Sequence, residues 1–330
     1  MDKNVKKQAV LVSRAIFPEV LDKLAQHFTL QTNQEDTIWS KAEFIARLQG
    51  KSGVFTTGGE RIDAELLQAC PGLKICANMA VGYNNFDVNA MTAAGVLGTN
   101  APDVLTQTTA DMAFALLMAT ARRISESEAY LRAGQWKKWS YDMFVGSDVY
   151  GATLGILGMG RIGQAIARRG AHGFNMNVIY HNRSRLDATT EARVKAHYVS
   201  KETLFKTADH IVLVVPYSAA SHHTVAAPEI ALMKPTATLI NIGRGGLIDE
   251  EALAEALSQN KLLGAGLDVF EGEPVVNPAL LALKNVVLTP HTGSATIPTR
   301  MAMGMLAADN LIGYLTQNKP LTPLNPEVLR

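Results

Sequence analysis

The stretch TLGILGMGRIGQAIA, Thr153 to Ala167, decides the fold class. An apolar run, TLGIL, leads into Gly158-x-Gly160-x-x-Gly163, and a helical pattern follows at once. Each glycine has a physical reason. Gly158 permits a tight turn, Gly160 lets backbone approach a pyrophosphate, and Gly163 lets the helix pack closely on the strand. Phosphates then meet free N–H groups at the positive end of the helix. A glycine triplet alone is weak evidence. Here the strand before it, the helix after it and a second strand ending at Tyr180 supply the context that a dinucleotide site needs.

Working outward, short apolar runs alternate with helical patterns on both sides. Before the glycines, QAVLVS, FTLQT, GVFTT, LKICANM and VLGTN read as strands, separated by helical PEVLDKLAQHF, KAEFIARL, DAELLQAC and DVNAMTAAG. After them come NVIYHN, HIVLVVP, ATLINIG, LLGAGLDVF and NVVLTP. Alternation of this kind predicts parallel sheets covered by helices. Unbroken apolar runs such as IVLVV suit central strands buried on both faces. Between the two series, residues 103–134 carry few breakers and read as one or two long helices.

The ribose end of the nucleotide site is unusual. About 20 residues beyond the glycines an acidic side chain is expected, accepting from the ribose 2′-hydroxyl. That place holds His181-Asn182-Arg183-Ser184-Arg185, with no acid before Asp187. A carboxylate would repel a 2′-phosphate, whereas Arg183 can bind one through charge-assisted hydrogen bonds, with Asn182 and Ser184 as further donors. The stretch favours NADPH over NADH; a solvated basic loop is the plain alternative.

Three downstream pieces each follow a predicted strand: NIGRGGLIDEEAL with Arg244, GLDVFEGEP with Asp268 and Glu273, and NVVLTPHTGSAT with His291. Ligands of open α/β sheets bind at such carboxyl ends. An arginine fork matches a carboxylate and polarises a neighbouring ketone. A histidine can protonate a developing alkoxide, and a glutamate beside it would stabilise the charged imidazole. Together these groups suit the reduction of a 2-keto acid. Singly, each has an ordinary reading as a loop cation, a turn residue or a packed histidine.

Taken with AVGYNNFD (Ala80–Asp87), these motifs resemble the D-isomer-specific 2-hydroxyacid dehydrogenase family, in that family's order and over essentially the whole chain. Within it the chain looks most like the glyoxylate/hydroxypyruvate reductases, including the bacterial type that also reduces 2-ketogluconate. The resemblance implies two Rossmann-like or flavodoxin-like α/β domains with parallel sheets. A substrate domain of residues 1–101 and 292–330 would hold an inserted nucleotide domain, 102–291. It also implies roles. Arg244 would hold the substrate, His291 would be the acid/base and Glu273 its partner. Val81 and Gly82 would offer backbone N–H groups to the substrate carboxylate, and Ser294 would join the substrate site. Asp268 would contact the nicotinamide carboxamide. Arg161 and Ile162 would cap the pyrophosphate, Pro216, Ile242 and Gly293 would line the cofactor, and Asn182 to Arg185 would take the 2′-phosphate. A homodimer would use the apolar helix near Phe114–Ala119, with Trp136 or Trp139 near the partner's site. Thr292 departs from the family, which often has isoleucine there.

Composition narrows the alternatives. With 47% hydrophobic and 18% charged residues the chain reads as a globular protein, and 31 basic against 30 acidic residues give no argument for nucleic acid or an anionic membrane. No apolar run reaches the roughly 20 residues of a membrane span, and MDKNVKKQAV has no long apolar core of a signal peptide, so a cytoplasmic location is expected. Two cysteines, Cys70 and Cys76, are expected to be buried free thiols. No metal is expected; His222-His223 reads as a solvated pair. Other readings are a noncatalytic NAD(P) sensor of the corepressor kind, or a dehydrogenase for another 2-hydroxy acid such as D-lactate. A sensor could lose Arg244, Glu273 or His291 freely, yet all three are present.

Overall fold

The structure, a computed structural model, describes residues 7–329. The charged start of the chain and its last residue, included in the expected substrate domain, lie outside them. Two compact units emerge. One contains the described residues up to Leu105 together with those from Thr296 on, and the other is Thr106–Ala295. The chain thus passes from one unit to the other four residues later, at each passage, than the divisions placed at 101/102 and 291/292.

In the first unit β1 (Ala9–Val12), β2 (Thr29–Thr32), β3 (Gly53–Thr56), β4 (Ile75–Asn78) and β5 (Leu97–Thr99) form a parallel sheet in the order β2-β1-β3-β4-β5. That is the flavodoxin-like order. All residues of β3 and β4 are buried, as strands covered on both faces require. Helix Lys41–Leu48 begins where Ser40 and Glu43 cap each other reciprocally. Both cysteines are buried and unpaired, and burial pushes their thiols up, so neither is a ready nucleophile. Two buried asparagines fasten the tail that follows the last long helix, Ile297–Gln317. Asn310 accepts from the Leu321 and Thr322 amides, and Asn325 accepts from Gly98 and donates to Val96.

The second unit has β6 (Thr153–Leu157), β7 (Asn177–His181), β8 (Ala196–Tyr198), β9 (His210–Leu213), β10 (Thr238–Asn241), β11 (Gly264–Leu267) and β12 (Val286–Leu288). Their order is β12-β11-β10-β9-β6-β7-β8, all parallel. Counted from β6, this is the dinucleotide-binding order 3-2-1-4-5-6 with a seventh strand added. The order reverses between β6 and β9, and there a ligand crevice is expected, outside the strands' carboxyl ends.

The long helical stretch resolves into two helices, Thr106–Ala121 and Ile124–Arg132, because Arg123 takes a left-handed conformation between them (φ 51°). The apolar middle of the first helix needs a corrected explanation. Phe114, Leu116 and Leu117 are buried in the second unit's own core, and Phe114 stacks on Phe174 at 5.2 Å between centroids. Its apolar character is therefore accounted for without a partner subunit. Exposed apolar side chains lie instead on the segment that follows: Ile124, Leu131, Trp136, Trp139, Tyr141 and Tyr150.

Candidate active site

Every site residue expected in the second unit lies at or just past the carboxyl end of a strand, or on the helix that follows. At the end of β6, Gly158 has φ 105°, and a Cβ there would lie 2.8 Å from the Val214 carbonyl carbon beyond β9. This is the switch point itself. A Cβ on Gly163 would lie 2.2 Å from the Gly158 carbonyl oxygen, so this glycine is fixed by the packing of helix Arg161–Gly173. Gly160 differs: a Cβ there would meet nothing within 4 Å. Among the described residues the amides of Gly160, Ile162 and Gly163 have no acceptor, and no side chain caps this helix. Open space and free donors at a helix N-terminus fit a pyrophosphate.

Beyond β7 the basic residues separate. Arg185 makes a bidentate ion pair with Glu191, at 2.9 and 2.8 Å, and Tyr180 donates to the same carboxylate at 2.7 Å. Held first by Arg185 and then by Tyr180, the Glu191 carboxyl is lowered to about 2. Asn182 accepts the Met159 amide at 2.7 Å, which ties the glycine loop to the end of β7. Arg183 and Ser184 are exposed and, among the described residues, make no hydrogen bond. Of the two arginines, Arg183 is therefore the one unengaged.

At the far strands three loops converge. His291 has φ 53°, and its Nδ1 lies 2.7 Å from Glu273 Oε2. Burial disfavours the Glu273 charge, but the contacts to His291, the Phe270 amide and Arg244 outweigh it and its pKa falls. An ionised carboxylate only accepts, so Nδ1 carries the proton and Nε2 remains for a ligand. The Arg244 guanidinium donates to the Gly243 carbonyl at 2.7 Å; burial lowers its pKa, opposed by the charge of Glu273. A Cβ on Gly245 would fall 1.8 Å from the Phe270 carbonyl carbon, so the Arg244 turn lies directly against the loop that carries Glu273.

Asp268 has a role that the sequence did not reveal. It is 1% exposed, and it accepts from Thr289 Oγ1 (2.6 Å), the Thr292 amide (2.7 Å) and hydroxyl (3.2 Å), and the Gly293 amide (2.7 Å). It thereby shapes the loop that presents His291. Ile242 is buried, Ser294 half-buried and Pro216 exposed at the ends of their strands. In the first unit, the carbonyls of Val81 and Gly82 are held by Asn100 and Asn78. Their amides find no acceptor among the described residues.

The family model of the D-isomer specific 2-hydroxyacid dehydrogenase NAD binding domain matches residues 114–293. The chain belongs to this family. It is an oxidoreductase with a dinucleotide-binding domain. A glyoxylate reductase of Thermococcus onnurineus is 46% identical over 327 residues, 98% of this chain and 97% of its own. Glyoxylate/hydroxypyruvate reductase B of Yersinia pestis is 41% identical, over 98% of this chain and 99% of its own. The crystal structure of an NADPH-dependent glyoxylate/hydroxypyruvate reductase from Sinorhizobium meliloti, with NADP and malonate, superposes with a TM-score of 0.82 at 35% identity, covering 96% and 97% of the two chains.

One further group involves His222 and His223. His222, His223 and Glu271 bring ligand-type atoms within 4.8 Å of one another. The two rings stack at 3.8 Å and 23°, and His223 Nε2 meets Glu271 at 2.8 Å. No helix among the described residues is long and apolar enough to cross a membrane.

The glycines of the dehydrogenase fingerprint are separable by experiment. Gly163→Ala is expected to lose about 1–3 kcal/mol of stability, as overpacking does, in urea unfolding. Gly160→Ala is expected to stay within about 0.5 kcal/mol of the parent yet to weaken dinucleotide binding in a fluorescence titration. Equal dinucleotide affinity in Gly160→Ala and parent would remove the pyrophosphate from that place.

Proposed function

We propose that this dehydrogenase reduces small 2-keto acids, glyoxylate, hydroxypyruvate and sugar-derived acids such as 2-ketogluconate, to D-2-hydroxy acids with a preference for NADPH. The observation that carries the reading is the His291–Glu273 contact of 2.7 Å beside a mostly buried Arg244, all on strand ends of a dinucleotide-binding sheet. The bound dinucleotide supplies the hydride. Arg244 pairs with the substrate carboxylate and polarises its ketone. His291 delivers a proton from Nε2 to the oxygen that becomes the hydroxyl, and Glu273 stabilises the charged imidazole beforehand and fixes its tautomer. In the first unit the free amides of Val81 and Gly82 suit a carboxylate.

NADPH preference rests on Arg183 and Ser184, which are open to a 2′-phosphate, with no acid in their place. Arg185 contributes charge nearby while holding Glu191. A cytoplasmic homodimer is part of the same proposal, its interface reassigned to the exposed apolar segment between residues 124 and 150. The deciding experiment is a set of initial rates with hydroxypyruvate, glyoxylate and 2-ketogluconate, each with NADPH and NADH. Turnover with none of them, in protein that still binds NADPH, would reject these substrates.

Arg183→Ala is expected to lose on the order of ten- to a hundred-fold in kcat/KM for NADPH, the worth of charge-assisted hydrogen bonds, and far less for NADH. Equal losses would sink the 2′-phosphate role. His291→Gln is expected to cut kcat by roughly 10²–10⁴ with dinucleotide affinity kept; retained turnover would remove it as the acid. Sedimentation equilibrium is expected to give a dimer that Trp139→Asp weakens, and a monomeric parent would end that part of the proposal.

A further inference from the structure

Next to the His291–Glu273 pair lies a second set of charged groups that the proposed chemistry leaves unused. Glu250 opens helix Glu250–Ser258, directly after the turn that carries Arg244, and is 7% exposed. Its Oε1 accepts the Glu271 backbone amide at 2.7 Å. Glu271 in turn accepts from His223 through its side chain at 2.8 Å, and the His223 amide donates to the Gly246 carbonyl at 2.8 Å. The loop of residues 270–273 is therefore tied twice to the Arg244 turn, once through Glu250 and once through His223.

Those ties bear on Glu273 itself. Its Oε1 accepts the Phe270 amide at 2.9 Å, one residue before the amide that Glu250 holds. Its Oε2 meets His291. A shift of the Glu271 peptide would carry Phe270 with it and change the distance from carboxylate to imidazole. Glu250 occupies a costly place, buried and facing Glu271, Glu273 and His223. Burial, with the two carboxylates adding to it, raises its pKa. Its side-chain hydrogen bond is spent on the Glu273 loop, where a carboxyl oxygen accepts the Glu271 amide.

We propose that Glu250, assisted by the His223–Glu271 pair, is a positioning residue that holds Glu273 in register between Arg244 and His291. The proposal rests on the roles given above to those three residues. Catalysis is sensitive to such register, since a misplacement of about 1 Å can cost a hundred-fold.

The test compares Glu250→Ala, Glu250→Gln and Glu271→Ala with the parent enzyme and hydroxypyruvate. Glu250→Ala is expected to lower kcat on the order of ten- to a hundred-fold, while substrate KM and NADPH affinity change little. Glutamine keeps the acceptor oxygen, so Glu250→Gln should recover most of kcat. Parent-like kcat in Glu250→Ala, or no recovery by glutamine, overturns the proposal. If Glu250→Ala does not fold, Glu271→Ala decides: a smaller loss of the same kind supports the tether, and none overturns it. Hydrogen exchange at the Phe270 amide needs no substrate, so it separates the tether from the reaction assignment. It is expected to quicken roughly ten-fold in Glu250→Ala, the worth of one hydrogen bond to a carboxyl, and unchanged exchange overturns the tether even if no keto acid is turned over.

Discussion

The carboxylate of Asp268 takes four hydrogen bonds from Thr289, Thr292 and Gly293, and it is almost wholly buried. A buried acid is tolerated only when its lone pairs are satisfied, and these donors satisfy them. In return they fix the path of the chain on both sides of His291. The histidine takes a left-handed backbone, uncommon outside glycine, while its own amide donates to the Asp268 carbonyl. Asp268 follows β11 and His291 follows β12, so one side chain converts adjacency in a sheet into a defined aim for an imidazole.

Around that centre the carboxylates divide the work by environment. Asp268 shapes a loop, Glu273 faces the histidine, Glu250 fastens the loop that carries Glu273, and Glu191 engages an arginine away from the chemistry. The glycines divide in a similar way. Gly158, Gly163 and Gly245 exist because backbone from elsewhere comes within reach of any Cβ. Gly160 has open space around it, so no neighbouring group of the protein demands a glycine there.

Much of this was legible in the sequence because it is local. TLGIL followed by spaced glycines specifies strand, turn and helix within fifteen residues, and the strand ends carrying Arg244, Glu273 and His291 were each marked by an apolar run. Order within the sheets was not legible from periodicity, since strand pairing is a long-range property; the family resemblance supplied only the fold class. The edge strand β8 went unread: it is three residues, AHY, of which Ala196 alone is buried, so it carries no apolar signature. Helix Thr106–Ala121 was seen as apolar, but a sequence does not say whether such a face meets its own core or another chain. The bond from Glu250 to the Glu271 amide was invisible for a simpler reason: a backbone donor leaves no mark in residue identity.

The two arginines beyond β7 are two positions apart, yet they answer to different constraints. Arg185 is the counter-charge of a buried glutamate, and Arg183 is tied to nothing among the described residues. Residue 183 can therefore change without touching the architecture, whereas residue 185 is anchored by it. A redesign that replaced the pair together would strip Glu191 of its partner, and the outcome would be read as altered selectivity when it was damaged folding. In this chain the structural half of a basic motif and its unconstrained half can be told apart by which one already has a carboxylate.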